Sequence, residues 1–317
     1  MARIAILDDY QKVAMIFADW SGLLAAHEVT VFSVPFAGLD ATARALAGYD
    51  VVCAMRERTP FPRALFDKLP DLKLLVTTGH RNAAIDMQAA ADHKIVVSGT
   101  EAPGHATAEL AMALILGLSR QIAFEAQQMR AGHWQTTVGR DLRGRTLGIL
   151  GLGRLGREVA RMAQAFGMTT VAWSQNIDPV EAAAKGVRTV SKDDLFRQSD
   201  VITIHTKLSP RTTGIVGVRE IGLMKPDAFL VNTSRGPIID EAALIAALQE
   251  GRIGGAGIDV YAMEPLPADH PLRTTPRTIL TPHIGYVTEE TYRIFYGGTV
   301  AAIEAWLRGT PVHVLGV

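Results

Sequence analysis

Short apolar runs rich in Val, Ile and Leu recur through the first hundred residues: RIAIL, EVTVFS, DVVCAM, LKLLVTT and KIVVS. They do not alternate strictly between apolar and polar positions, which is the pattern of strands buried on both faces. Between them lie the Ala-rich stretches ATARALAGYD, PRALFDKLP and AAIDMQAAADH, which end on turn or breaker residues. Five strands joined by helical crossovers predict an α/β fold with a doubly wound parallel sheet. The first strand runs into LDDYQ rather than a glycine-rich turn. This half therefore lacks the usual nucleotide cradle.

The second half repeats the architecture with that cradle present. RTLGIL predicts a strand, GLGRLG at 151–156 a tight turn, and REVARMAQAFG a helix stopped at Gly167. TTVAW, VITIHT, AFLVN, GGAGIDV and TILT follow as strands. DEAALIAALQEG predicts a helix with Asp240 as its N-cap and Gly251 just past its end. EETYRIFYGGTVAAIEAWLRG predicts one long helix near the C-terminus.

Composition narrows the classes. A chain of 317 residues suggests about two domains. Lys plus Arg and Asp plus Glu are equal at 32 each, so no global field draws in nucleic acid or an anionic membrane. The single cysteine, Cys53, lies in an apolar run and cannot form an internal disulfide, which suits a reducing compartment. The stretch before Asp8 is too short for a signal-peptide core, and LAMALILGL at 110–118 is too short to span a bilayer. That run predicts a buried or subunit-facing helix, and the whole a cytoplasmic protein. The histidines show no metal-ligand spacing, so no metal is expected.

In GLGRLG the glycines allow the tight turn, the approach of a pyrophosphate and the packing of helix on strand. Backbone N–H groups at the start of the helix, at Arg154, Leu155 and Gly156, then face the phosphate charge. Further on, NTSRG at 232–236, DVYAMEP at 259–265 and LTPHIGY at 280–286 each set one polar group beside turn-forming Gly or Pro. The three groups are Arg235, Glu264 and His283. A cation, a carboxylate and an imidazole beyond a dinucleotide cradle are what hydride transfer to a carbonyl requires.

This order of glycine loop, Arg, Glu and His, in this local wording, resembles the D-isomer-specific 2-hydroxyacid dehydrogenases. The likeness covers nearly the whole chain and is most specific over residues 144–290. It implies a flavodoxin-like substrate domain made of residues 1–101 and 285–317, with a Rossmann dinucleotide-binding domain inserted as residues 102–284. It implies an NAD(P)-dependent enzyme that interconverts a 2-oxo acid and a D-2-hydroxy acid, works as a homodimer through its nucleotide domains, and closes two domains over the substrate. Arg235 would clamp the substrate carboxylate and polarise the carbonyl, His283 would move the alcohol proton, and Glu264 would hold His283 charged.

The resemblance also assigns cofactor contacts. Gly151, Gly153, Arg154, Leu155 and Gly156 come from the fingerprint, and Ser174 and Gln175 from the end of the next strand. Thr206 and Thr212 lie in HTKLSPRT along the adenine side, Thr233 and Ser234 precede Arg235, and Asp259 would meet the nicotinamide carboxamide. An NAD-preferring enzyme usually carries an acid where Ser174 stands, yet no Arg replaces it, so the expectation leans only slightly to NAD and leaves NADP open. On the substrate side the family's Gly-X-Gly loop becomes TTGHRN, with Arg81 in the second glycine's place. Thr78, Gly79, His80 and Arg81 would line it, joined by Arg56 and Tyr286, and the identity of the acid stays open. Phosphite- or formate-type oxidation on the same fold, and a non-catalytic NADH-sensing regulator, are the alternatives.

Overall fold

The structure is a computed structural model and describes residues 1–316. The chain divides into two compact units, one formed by Met1–Pro103 with the segment from Val287 onward, the other by Gly104–Tyr286. The first unit holds β1 (Arg3–Ile6), β2 (Glu28–Val31), β3 (Val51–Ala54), β4 (Leu74–Thr77) and β5 (Val96–Ser98) in the order β2-β1-β3-β4-β5. Every pairing is parallel. The apolar runs predicted the parallel strands, and their order is the flavodoxin-like one that the resemblance implied. Burial on both faces explains their composition: all of β3 and all of β4 is buried. The long helix Glu289–Leu307 forms as the sequence predicts, running through Gly297 and Gly298.

The second unit holds seven parallel strands: β6 (Thr146–Leu150), β7 (Thr169–Trp173), β8 (Arg188–Thr189), β9 (Val201–Ile204), β10 (Phe229–Asn232), β11 (Gly255–Ile258) and β12 (Thr278–Leu280). Their order is β12-β11-β10-β9-β6-β7-β8. The order reverses between β6 and β9, so the loops after these strands part and leave a crevice at their carboxyl ends. The apolar run at 110–118 lies in the helix His105–Ser119, whose Ala111, Met112, Leu114, Ile115 and Leu118 are buried in the core under β6 and β10. A second helix, Ile122–Arg130, follows after Gln121 takes a left-handed conformation. It buries none of its residues, so no periodic pattern marked it in the sequence.

The glycine turn shows why that motif needs glycine. Gly151 has φ of 102°, and a Cβ there would lie 2.7 Å from the Thr206 nitrogen. A Cβ on Gly156 would overlap the Gly151 carbonyl oxygen, because the Arg154–Ala165 helix packs tightly on β6. Gly156→Ala should therefore cost about 1–3 kcal/mol through overpacking. Thermal unfolding followed by calorimetry should show the loss as a lower Tm. An unchanged Tm would mean that helix and strand can separate freely.

Candidate active site

Arg235, Glu264 and His283 emerge from three neighbouring loops at the carboxyl ends of β10, β11 and β12. Asn232, the last residue of β10, shapes the first loop: its amide accepts the Ser234 N–H at 3.0 Å and donates to the Arg235 carbonyl at 2.9 Å. Ser234 Oγ donates to the Ile204 carbonyl of β9 at 2.8 Å. Arg235 is half-buried and folds one guanidinium nitrogen onto the Ser234 carbonyl. Next to it, a Cβ on Gly236 would overlap the Tyr261 backbone. The turn that carries the cation thus rests directly on the loop that carries Glu264.

Glu264 and His283 are bonded. His283 Nδ1 lies 2.5 Å from Glu264 Oε2, while Glu264 Oε1 accepts the Tyr261 N–H at 2.9 Å. Burial pushes the Glu264 carboxyl up, but His283, the Tyr261 N–H and the Arg235 charge together bring it below its ordinary value. Glu264 is therefore an anion at neutral pH, with Nδ1 of the imidazole facing it and Nε2 turned to the other side of the ring. His283 itself has φ of 53°, in the left-handed region. The Tyr286 ring meets the imidazole edge-on at 5.7 Å between centroids.

Asp259 holds the His283 loop in that shape. It is wholly buried, and its two oxygens accept the Thr281 hydroxyl at 2.6 Å, the Ile284 N–H at 2.8 Å and the Gly285 N–H at 2.9 Å. Burial dominates and raises its pKa against those bonds and the nearby imidazole. The geometry gives Asp259 a framing task, beside the carboxamide contact that the resemblance implied. Tyr261, absent from the sequence-based set, ties the same two loops by donating from its hydroxyl toward the Ile258 and Thr281 carbonyls at 3.1 and 2.8 Å.

A cavity of about 730 Å3 lies along the same sheet edge. Of the proposed cofactor residues, Gly151, Gly153, Ser174, Gln175, Thr206 and Thr212 line its wall. Arg154, Leu155, Gly156, Thr233, Ser234 and Asp259 do not. Leu155 packs on the core, Gly156 faces Gly151, and Thr233 is buried with its hydroxyl unpartnered. The residues fit a dinucleotide: Gly153 caps the Arg154–Ala165 helix, and the space where its Cβ would stand is open. The wall also carries Lys207 and Arg211, which the sequence reading passed over. HTKLSPRT placed them in the right loop, but only the fold shows that they face the cavity.

The substrate-loop residues belong to the other unit. Thr78 is buried and its hydroxyl accepts the Arg56 N–H at 2.9 Å, so its side chain frames the loop. Gly79 has φ of 91°, and the Arg56 guanidinium lies where its Cβ would be. His80 pairs with Glu101 at 3.4 Å, and Arg81 is exposed. Arg56 itself has φ of 53° and donates to the Thr78 carbonyl at 3.3 Å.

The Glu264 carboxyl titrates lower in the fold than in the unfolded chain. Its stabilising contribution is complete above the unfolded value and is lost as pH falls through the depressed folded one. Glu264→Gln should therefore be less stable than the parent at pH 7, with the gap closing toward pH 3. Urea denaturation at both pH values measures it, and a gap that is constant with pH would exclude the charge as its source.

Comparison with known proteins adds a further line. Residues 112–285 match the family described as D-isomer specific 2-hydroxyacid dehydrogenase, NAD binding domain. The chain is 32% identical to a hydroxypyruvate reductase of Blautia hydrogenotrophica, over 99% of both chains. It is 38% identical to a glyoxylate reductase of Thermococcus litoralis, over 72% of each. A crystal structure of a phosphoglycerate oxidoreductase from Vibrio cholerae superposes with a TM-score of 0.92 at 34% identity, covering 98% of this chain and 100% of that one. No single helix among the described residues is long and apolar enough to cross a membrane. With the glycine cradle and the Arg, Glu and His loops on one sheet edge, the chain belongs to the D-isomer-specific 2-hydroxyacid dehydrogenase family.

Proposed function

We propose that Arg235, Glu264 and His283 are the catalytic residues of an NAD(P)-dependent reductase that converts a 2-oxo acid into a D-2-hydroxy acid, and the reverse. The observation that carries this reading is the 2.5 Å contact between His283 Nδ1 and Glu264, with the Arg235 charge also acting on that carboxylate. In this reading the Gly104–Tyr286 unit is the dinucleotide domain and the other unit the substrate domain. The bound dinucleotide supplies the hydride. Gly151, Gly153, Ser174, Gln175, Thr206 and Thr212 hold it. The Arg235 fork binds the substrate carboxylate and polarises the adjacent carbonyl. His283 donates the proton to the new alkoxide in reduction and accepts it in oxidation. Glu264 receives the Nδ1–H, which fixes the tautomer and stabilises the imidazolium.

A formate-type reaction moves no alcohol proton and would leave this acid–base pair idle. The 2-hydroxy acid reading is therefore preferred. The described structure also supports a homodimer through the dinucleotide unit. Ile122, Phe124, Met129, Trp134 and Val138 are exposed large apolar residues within one stretch of chain, an arrangement suited to a partner surface. The single cysteine, Cys53, suits a reducing cytoplasm.

A panel of 2-oxo acids with NADH and NADPH tests the activity. Reduction consumes a proton that oxidation releases, so reduction should weaken and oxidation strengthen as pH rises. Glu264→Gln keeps a hydrogen bond but removes the anion that stabilises the imidazolium, so kcat for reduction should fall. His283→Ala should lose about 10²–10⁴-fold in kcat with dinucleotide affinity retained. Near-parental turnover of His283→Ala from pH 5 to 9 would remove this mechanism. For the dimer, Phe124→Glu with Trp134→Glu should sediment as a monomer, and an unchanged sedimentation coefficient would place the interface elsewhere.

A further inference from the structure

We propose that Lys207 and Arg211 form a 2′-phosphate subsite in the dinucleotide cavity, so that the chain takes NADP(H) as well as NAD(H). The proposal rests on the dinucleotide reading above. It begins with the charges on the cavity wall. The wall carries two acids, Asp178 and Glu181, and both are already engaged. Asp178 caps a short helix, accepting the Val180 and Glu181 N–H groups at 2.8 and 3.3 Å. Glu181 is bound by Arg157 at 2.8 Å and by Lys185 at 3.3 Å.

Where an NAD-selective enzyme would present an acid to the ribose hydroxyls, Ser174 Oγ instead accepts the Leu152 N–H at 2.8 Å. Gln175 and Asn176 beside it are neutral and exposed. The nearest wall acids stand further along the chain, Asp178 at a helix N-cap and Glu181 between Arg157 and Lys185.

Lys207 and Arg211 differ from the other charged groups of the wall. Both are exposed, and neither has an acid partner among the described residues. Their loop is folded rather than extended: Thr212 Oγ1 donates to the Lys207 carbonyl at 2.7 Å and accepts the Ser209 N–H at 2.8 Å. One turn therefore holds both cations on the cavity wall. The sheet order puts this loop, after β9, on one side of the glycine turn and the Ser174 loop, after β7, on the other. A dianionic group on a ribose between them gains charge-assisted bonds that a bare hydroxyl cannot. Discrimination then comes from the attraction of these two cations for the added phosphate.

The test uses 5′-AMP and 2′,5′-ADP as probes that differ only in the 2′-phosphate, with binding measured by calorimetry on the full chain. The 2′-phosphate should strengthen binding by about tenfold or more at low salt. That advantage should shrink as KCl is added. In the Lys207→Ala, Arg211→Ala double variant the ratio of the two affinities should fall toward one. Equal affinities in the parent, or an advantage that survives in the double variant, would overturn the subsite while NADH binding upholds the dinucleotide reading. Failure of NADH and both probes to bind would overturn that reading and the subsite with it.

Discussion

Seven strands that all run the same way send every carboxyl end, and every loop that follows one, to a single edge of the sheet. The direction is enforced by main-chain hydrogen bonding between neighbours and by burial of both faces, which leaves the crossovers only one way to return. Loops separated by more than a hundred residues in sequence, such as 151–153 and 281–285, are thereby brought to one rim. The reversal of order between β6 and β9 opens that rim at one place. Both the nucleotide cavity and the Arg, Glu and His loops follow from this geometry.

Polar groups behind the rim set its shape. Asn232 and Asp259 end adjacent strands, and each spends its side chain on the backbone of the loop that presents a reactive group. A buried carboxylate is costly without partners, and Asp259 offsets that cost with three donors. Tyr261 adds a cross-link from β11 to β12 through two carbonyls. The reacting side chains thus stand on main chain that is fixed from beneath, which is the preorganisation a proton-transfer site needs.

Much of this was legible in the chain itself. The strands announced themselves because burial on both faces requires unbroken Val, Ile and Leu, and the glycine turn because Gly151 and Gly156 meet backbone where a Cβ would stand. Arg235, Glu264 and His283 were recognisable from their place beside Gly or Pro after apolar runs. Burial and partnership were not. Nothing local tells that the Thr78 hydroxyl is consumed by the Arg56 N–H, or that Asp259 is enclosed by a loop more than twenty residues away. Lys207 and Arg211 were hidden for a related reason, since a side chain's orientation in a loop depends on the fold of that loop. The helix Ile122–Arg130 gave no signal because it buries nothing.

The left-handed backbone at His283 has a consequence for how the protein can change over time. A residue with a Cβ sits there at a cost on the order of 1 kcal/mol that glycine would not bear. The chain keeps the imidazole against that preference. A library of variants sorted only for heat resistance would therefore be drawn toward glycine at this position, trading the proton-carrying ring for a relaxed loop. Ranking variants by folded stability alone would rate as improvements some that had lost their chemistry.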